Sequence, residues 1–112
     1  MAWDDPPSDD FFDQKMEEHT RVAYLDRHSP SRFDVHLWDG TVIRVFVTDT
    51  YSFSVSDYTE LRAQFPEVEC IVSNSSWNHF TDEAARTAGR DGVETFRIGE
   101  FMSALHNSRR FS

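Results

Sequence analysis

The stretch FDVHLWDGTVIRVFV, residues 33–47, decides how this chain is read. Asp39-Gly40 stands between two runs of strand formers, and that dipeptide suits the positive φ angles of a two-residue type I′ hairpin turn. A loop of those two residues sets Trp38 against Thr41, Phe33 against Phe46 and Asp34 against Val45. Phe33, Val35 and Leu37 then share a face with Val42 and Phe46, while Asp34, His36 and Trp38 share the other with Ile43, Val45 and Val47. Both faces are partly apolar, the pattern of strands interior to a sheet covered on both sides.

Upstream, MAWDDPPSDD carries two prolines and four aspartates and reads as a flexible acidic lead-in over 1–8. Phe12, Met16 and His19 recur at helical spacing from about Asp9, and Asp9 and Asp10 suit the positive end of that helix. RVAYLDR then reads as a strand and HSPS as a turn. Downstream, DYTELRAQF forms a short helix in which Asp57 and Glu60 fit a capping box, ended by Pro66. VECIV is an apolar strand of the buried kind. SNSSWNH is a polar loop, after which Thr81 caps a helix running through Ala88 and stopped by Gly89. VETFRI makes a strand and GEFMSALH a last helix. The expected organisation is one α/β domain over 9–106 with a flexible tail over 107–112: a mixed sheet with a central β-hairpin and helices on both sides.

With 112 residues the chain matches a single domain, and a domain of this size buries about 65% of its unfolded surface. Its net charge is −9, from 20 acidic against 11 basic residues, and Lys15 is the one lysine. That balance opposes non-specific binding to nucleic acid or anionic membrane and favours a protein partner with a basic surface. Cys70 is the sole cysteine, which excludes an internal disulfide and a thiolate metal cluster. The chain shows no signal-peptide pattern and no apolar run of about 18 residues, so the expected location is cytoplasmic.

The order of elements, with Asp34 on the strand before the turn, resembles the restriction-endonuclease-like, or PD-(D/E)XK, superfamily. The segment ECIVSNSSWNHFTDEAARTAGRDGVETFRIGEFMSAL resembles the carboxyl half of its Mrr-type members. The resemblance spans roughly residues 33–106 and implies a three-layer core of that fold. It also implies where the chemistry would sit. Members hold Mg²⁺ between an aspartate on the second strand and the acid of an acid-x-Lys triplet on the third, whose lysine orients the attacking water. Asp34 matches the first aspartate. Val45 and Val47 occupy the places of the acid and the lysine, and an apolar side chain offers a hard cation no oxygen. A slip of register brings Arg44, Phe46 and Thr48 instead, which serve no better. The one acid-x-Lys triplet, Asp13-Gln14-Lys15, falls in the first helix, where positions two apart diverge by about 200°.

The expectation is therefore a nuclease fold without its catalytic set, with Asp34 as a vestigial position and no cofactor. Such a protein would act through protein–protein interaction in a regulatory, inhibitory or immunity-type role, for instance in phage defence or toxin neutralisation. A divergent Mg²⁺-dependent nuclease is the first alternative, with Asp34, His36 and Glu17 as ligands and Glu18 or the displaced Asp49 in reserve. A non-cleaving nucleic-acid-binding remnant is the second, using Arg21, Arg27, Arg32, Arg109 and Arg110. Trp77 and His79 in the polar loop are candidate binding residues, Trp77 because an indole there either packs under the next helix or anchors a partner. The histidines at 19, 28, 36, 79 and 106 include no i, i+4 pair, so His36 beside Asp34 is the one pairing that suggests a metal.

Overall fold

The computed structural model describes residues 8–29, 31–48, 50, 52–73 and 79–106. Along the chain these residues form α1 (Ser8–Glu18), β1 (Val22–Arg27), β2 (Arg32–Leu37), β3 (Val42–Thr48), β4 (Ser52–Phe53) and α2 (Val55–Gln64). They continue as β5 (Cys70–Ser73), β6 (His79–Phe80), α3 (Asp82–Arg90), β7 (Glu94–Arg97) and α4 (Ile98–His106). Five strands make one mixed sheet in the order β1-β2-β3-β5-β7. The first three form an antiparallel meander; β5 and β7 then add in parallel, each reached through a helix, as a parallel crossover requires. β4 and β6 form a separate two-stranded parallel ladder that the sequence did not lead us to expect. The acidic lead-in, apart from Ser8, and the tail over 107–112 lie outside the described residues. No helix among the described residues is long and apolar enough to cross a membrane.

The hairpin is interior to the sheet, as expected, but its register is one residue away from the expected one. Asp34 pairs with Arg44, Phe33 with Val45 and Val35 with Ile43. The turn explains the shift. Gly40 N–H donates to the Leu37 carbonyl (3.1 Å) and Leu37 N–H to the Thr41 carbonyl (2.9 Å), so the loop has three residues, Trp38 to Gly40. Of the loop residues only Gly40 has positive φ (+93°), whereas a type I′ turn would need it at Asp39 as well. Asp39 instead accepts from the Thr41 amide through Oδ1 (2.9 Å).

One residue of slip exchanges every side chain between faces. Phe33, Val35 and Leu37 share their face with Ile43, Val45 and Val47, and all six are buried. α1 and α4 cover that face with Phe12, Met16, Phe101 and Leu105. Phe12 meets Phe33 at 4.9 Å between ring centres and Phe101 at 6.1 Å, and Phe96 meets Phe101 at 5.7 Å. Each fully buried phenylalanine contributes about 2–3 kcal/mol, so this aromatic seam is a principal source of stability. His19 fixes its edge: Nε2–H donates to the Met102 carbonyl (3.0 Å) while Nδ1 accepts from the Arg21 amide (3.1 Å).

Among the described residues the second face is covered over the end of β3, β5 and β7. There α2 and α3 set Tyr58, Leu61, Ala84 and Ala88 around Ile71, with Phe53, Val68 and Val93. Both helices begin on side-chain caps. α2 starts earlier than expected, at an N-cap Ser54 whose box partner is Asp57 rather than Glu60: Ser54 N–H donates to Asp57 Oδ2 (2.9 Å) and Asp57 N–H to Ser54 Oγ (3.3 Å). Thr81 caps α3 as expected, accepting from Ala84 N–H (3.1 Å). α3 runs past Gly89 to Arg90. Its stop is Gly92, at φ +79°, where Gly92 N–H donates to the Gly89 carbonyl (3.1 Å) and Val93 N–H to that of Ala88 (2.8 Å), the two bonds of a Schellman motif. Tyr58 Oη–H donates to Asp91 Oδ2 (2.6 Å) and ties α2 to that cap. Burial, and then the carboxylate, push the phenol up to about 12.

Candidate interaction surface on the open half of the sheet

Over β1, β2 and the start of β3 the second face has no helix above it among the described residues. Both faces of the hairpin were expected to be covered; among the described residues one is covered throughout and the other only near Phe46. The open half carries Tyr24 and Asp26 from β1, Arg32, Asp34 and His36 from β2, and Val42 and Arg44 from β3, while Phe46 further along β3 packs against Phe65 in the second core cluster. The alternation on β2 is strict: Arg32, Asp34 and His36 interleave with the buried Phe33, Val35 and Leu37.

Arg32 organises the surface. Its residue is only 3% exposed, and a buried guanidinium is tolerated only with partners. Nε–H donates to Glu67 Oε2 (2.9 Å), and Nη1–H to Asp34 Oδ1 (2.7 Å) and to the Phe33 carbonyl. The second oxygen of Asp34 accepts from His28 Nε2 (3.0 Å). Burial by itself raises the Asp34 carboxyl, but the hydrogen bonds and positive charge of His28 and Arg32 outweigh it and hold the group below the ordinary 3.8. The Glu67 carboxyl is also held low, by its own backbone amide first and by Arg32 after it.

Around this centre the like charges of Asp26 and Asp34 stand directly opposite one another on β1 and β2. His36 stands near the first, with Nε2 3.6 Å from Asp26 Oδ2, too long for a hydrogen bond but within ion-pair reach when the imidazole is protonated. The His36 ring is stacked on Tyr24, 4.1 Å between centres at 10°. Arg44, across the ladder from Asp34, turns to Glu69 (Nη1 to Oε2, 3.2 Å). Tyr24 is 57% exposed, and Trp38 at the hairpin tip is 73% exposed.

The residues singled out by sequence distribute as follows. Val45 and Val47 do not face Asp34; they lie on the opposite face, buried against the helices. Arg44 and Phe46 hold the places beside Asp34, and neither offers an oxygen. Asp34 and His36 share the open face, but Asp34 is engaged by Arg32 and His28 while His36 turns to Asp26. Glu17 is in the last turn of α1, the helix that covers the other side, so the three do not converge. Among the described residues no three His, Cys, Asp or Glu side chains group to hold a metal. His79 is on β6, its Nε2 3.2 Å from Ser52 Oγ, away from the open half-face. Trp77 and Asp49 lie outside the described residues. Of the arginines, Arg32 and Arg44 are bound to Asp34, Glu67 and Glu69, and Arg109 and Arg110 lie outside the described residues. Cys70 is fully buried, and burial raises its thiol well above the ordinary range, which makes it an inert core residue.

Sequence reasoning passed over Glu67 and Tyr24, and it named Arg32, His28 and Arg44 without gathering them around Asp34. The polar triplet Arg-x-Asp-x-His on β2 was the legible signal, since three polar side chains two apart must share one face. Chemically, the surface offers no activated nucleophile, and a low-pKa carboxylate holding two donors is a poor base. It offers an exposed tyrosine and an arginine within a rim of carboxylates and imidazoles, a composition matched to recognition of another surface. Comparison of the chain with family models, with curated proteins and with solved structures found no match.

Proposed function

We propose that this protein is a non-catalytic binding protein with a restriction-endonuclease-like core, acting by docking a protein partner on the open half of its sheet. One observation carries the reading: among the described residues the helices leave β1, β2 and the start of β3 uncovered on one face, and the charged groups at its centre, Arg32, Asp34 and Glu67, are already paired with one another. Asp34, where the resemblance would put a metal ligand, spends both oxygens on Arg32 and His28, and a guanidinium 2.7 Å away opposes a cation there. A pre-paired polar surface with projecting Tyr24 and Trp38 suits a partner that is held rather than transformed. The role that fits is regulatory, inhibitory or of the immunity type.

The metal-dependent nuclease reading keeps one point in its favour, an aspartate on the second strand of a β-meander beside two parallel strands. Incubating plasmid DNA, single-stranded DNA and RNA with the protein and Mg²⁺ or Mn²⁺ separates the two. The binding reading predicts intact substrates. Cleavage that vanishes in Asp34→Ala would establish the nuclease instead.

A further inference from the structure

β1 is the outer strand of the five-stranded sheet, and among the described residues no strand pairs with its far side. The ladder with β2 fixes which backbone groups face outward. His28 N–H reaches the Arg32 carbonyl (2.8 Å), and the register continues through Asp26–Asp34 and Tyr24–His36. The backbone groups of Tyr24, Asp26 and His28 therefore turn toward β2, and by the alternation of an antiparallel pair those of Leu25 and Arg27 turn to the free edge. Ala23 is the extra residue of a bulge, which ends the usable edge on that side. A groove of about 450 Å³ runs along the edge, lined by Glu17, Val22, Ala23, Tyr24, Leu25 and Arg27. Only residues 19–21 separate α1 from β1, so Glu17 stands at the start of the strand and Arg27 at its end.

We infer that this edge receives the β1 strand of a second copy of the chain, antiparallel, about a two-fold axis through Leu25. An axis perpendicular to the sheet keeps each face with its like. Leu25 then exchanges both backbone hydrogen bonds with Leu25 of the second copy, and Tyr24 lies beside Asp26 of the second copy. Each Arg27 is carried to the end of the groove where the other copy's Glu17 stands. Neighbouring registers oppose like charges. An axis through Tyr24 would bring Arg21 to Arg27, and one through Asp26 would bring Asp26 to Asp26, and like charges directly opposite are destabilising. A different segment laid along the edge would meet the same hydrogen-bonding groups, but the opposed charges at the two ends of one groove are self-complementary only under a two-fold. The pairing joins two sheets into one and sets the two open half-faces side by side.

Sedimentation velocity on the full chain tests this, with circular dichroism to confirm that each variant is folded; Glu17 and Arg27 are both exposed. The wild type is expected at twice the monomer mass of 13.1 kDa. Glu17→Arg and Arg27→Glu, each alone, set like charges at both contacts and should return the protein to monomer mass. An equimolar mixture of the two variants should restore the dimer, because every contact again joins opposite charges. A wild type that stays monomeric at the highest soluble concentration would overturn the inference. A reversal that leaves the dimer intact would overturn it too, as would a mixture that remains monomeric.

Discussion

Arg32 is the residue on which the open surface depends. Its guanidinium is enclosed by Asp34, Glu67 and the Phe33 carbonyl, so removing it leaves two carboxylates and a carbonyl without their donor. Arg32→Ala should lower the unfolding free energy by about 2 kcal/mol, below the usual cost of splitting a buried pair because Asp34 keeps His28 and Glu67 reaches water. Urea unfolding measures it; a loss under about 0.5 kcal/mol, the size of an ordinary surface change, would deny Arg32 this part. Asp34 carries the pH dependence. Its folded carboxyl lies below the ordinary 3.8, so the unfolded chain binds the proton more tightly. The stabilisation is complete above the ordinary value and is lost as pH falls through the lower folded one. The stability gap between wild type and Asp34→Asn should accordingly close as the pH of the unfolding experiment drops from about 6 to about 2. A gap that is constant across that range would place the carboxylate outside the ion-pair cluster.

At the scale of elements, the hairpin shows which part of a sequence signal outranks another. Its existence was legible from Asp39-Gly40, and its register was not, because the same dipeptide serves a two-residue loop and a three-residue loop closed by glycine. The apolar pattern held the answer. Only the shorter register on β3 brings Ile43, Val45 and Val47 onto the face of Phe33, Val35 and Leu37, and a fully apolar face should have outweighed the choice of turn. The helix ends divide in the same way. Thr81 was legible as a cap, and Thr81→Ala should cost about 1 kcal/mol by orphaning the Ala84 amide. A domain of this size would register that as a fall of roughly 4–8 °C in Tm; an unchanged Tm would mean that the cap contributes nothing. Gly89 was read as the stop because it comes first, yet the positive φ falls on Gly92. Gly92→Ala should be destabilising by about 1 kcal/mol from backbone strain alone, since no heavy atom lies within 4 Å of the added Cβ, while the open-space change Gly89→Ala inside the helix should stabilise. Thermal unfolding of the two variants should move in opposite directions.

At the scale of the molecule, the mixed sheet and the helices on its two sides follow from an alternation of periods that the sequence displays. The gap in the cover does not, because it depends on where α2 and α3 settle laterally, a matter of packing around Ile71 rather than of any local pattern. The surface cluster was hidden for a related reason: Arg32 and Glu67 are 35 residues apart and meet only through the fold. With a net charge of −9, association with a basic partner should be faster at low salt than at high salt, and stopped-flow rates indifferent to ionic strength would confine the charge to solubility. The central claim is that the open half-face is where a partner docks, and differential capture addresses it most directly. Immobilised wild type, a Tyr24→Ala/Arg44→Glu double variant and a Glu60→Arg control on α2 would be exposed in parallel to extract from the organism that encodes the chain, and the bound proteins quantified by mass spectrometry. The account predicts a protein held by the wild type and the control and lost by the double variant; identical capture by all three would contradict it.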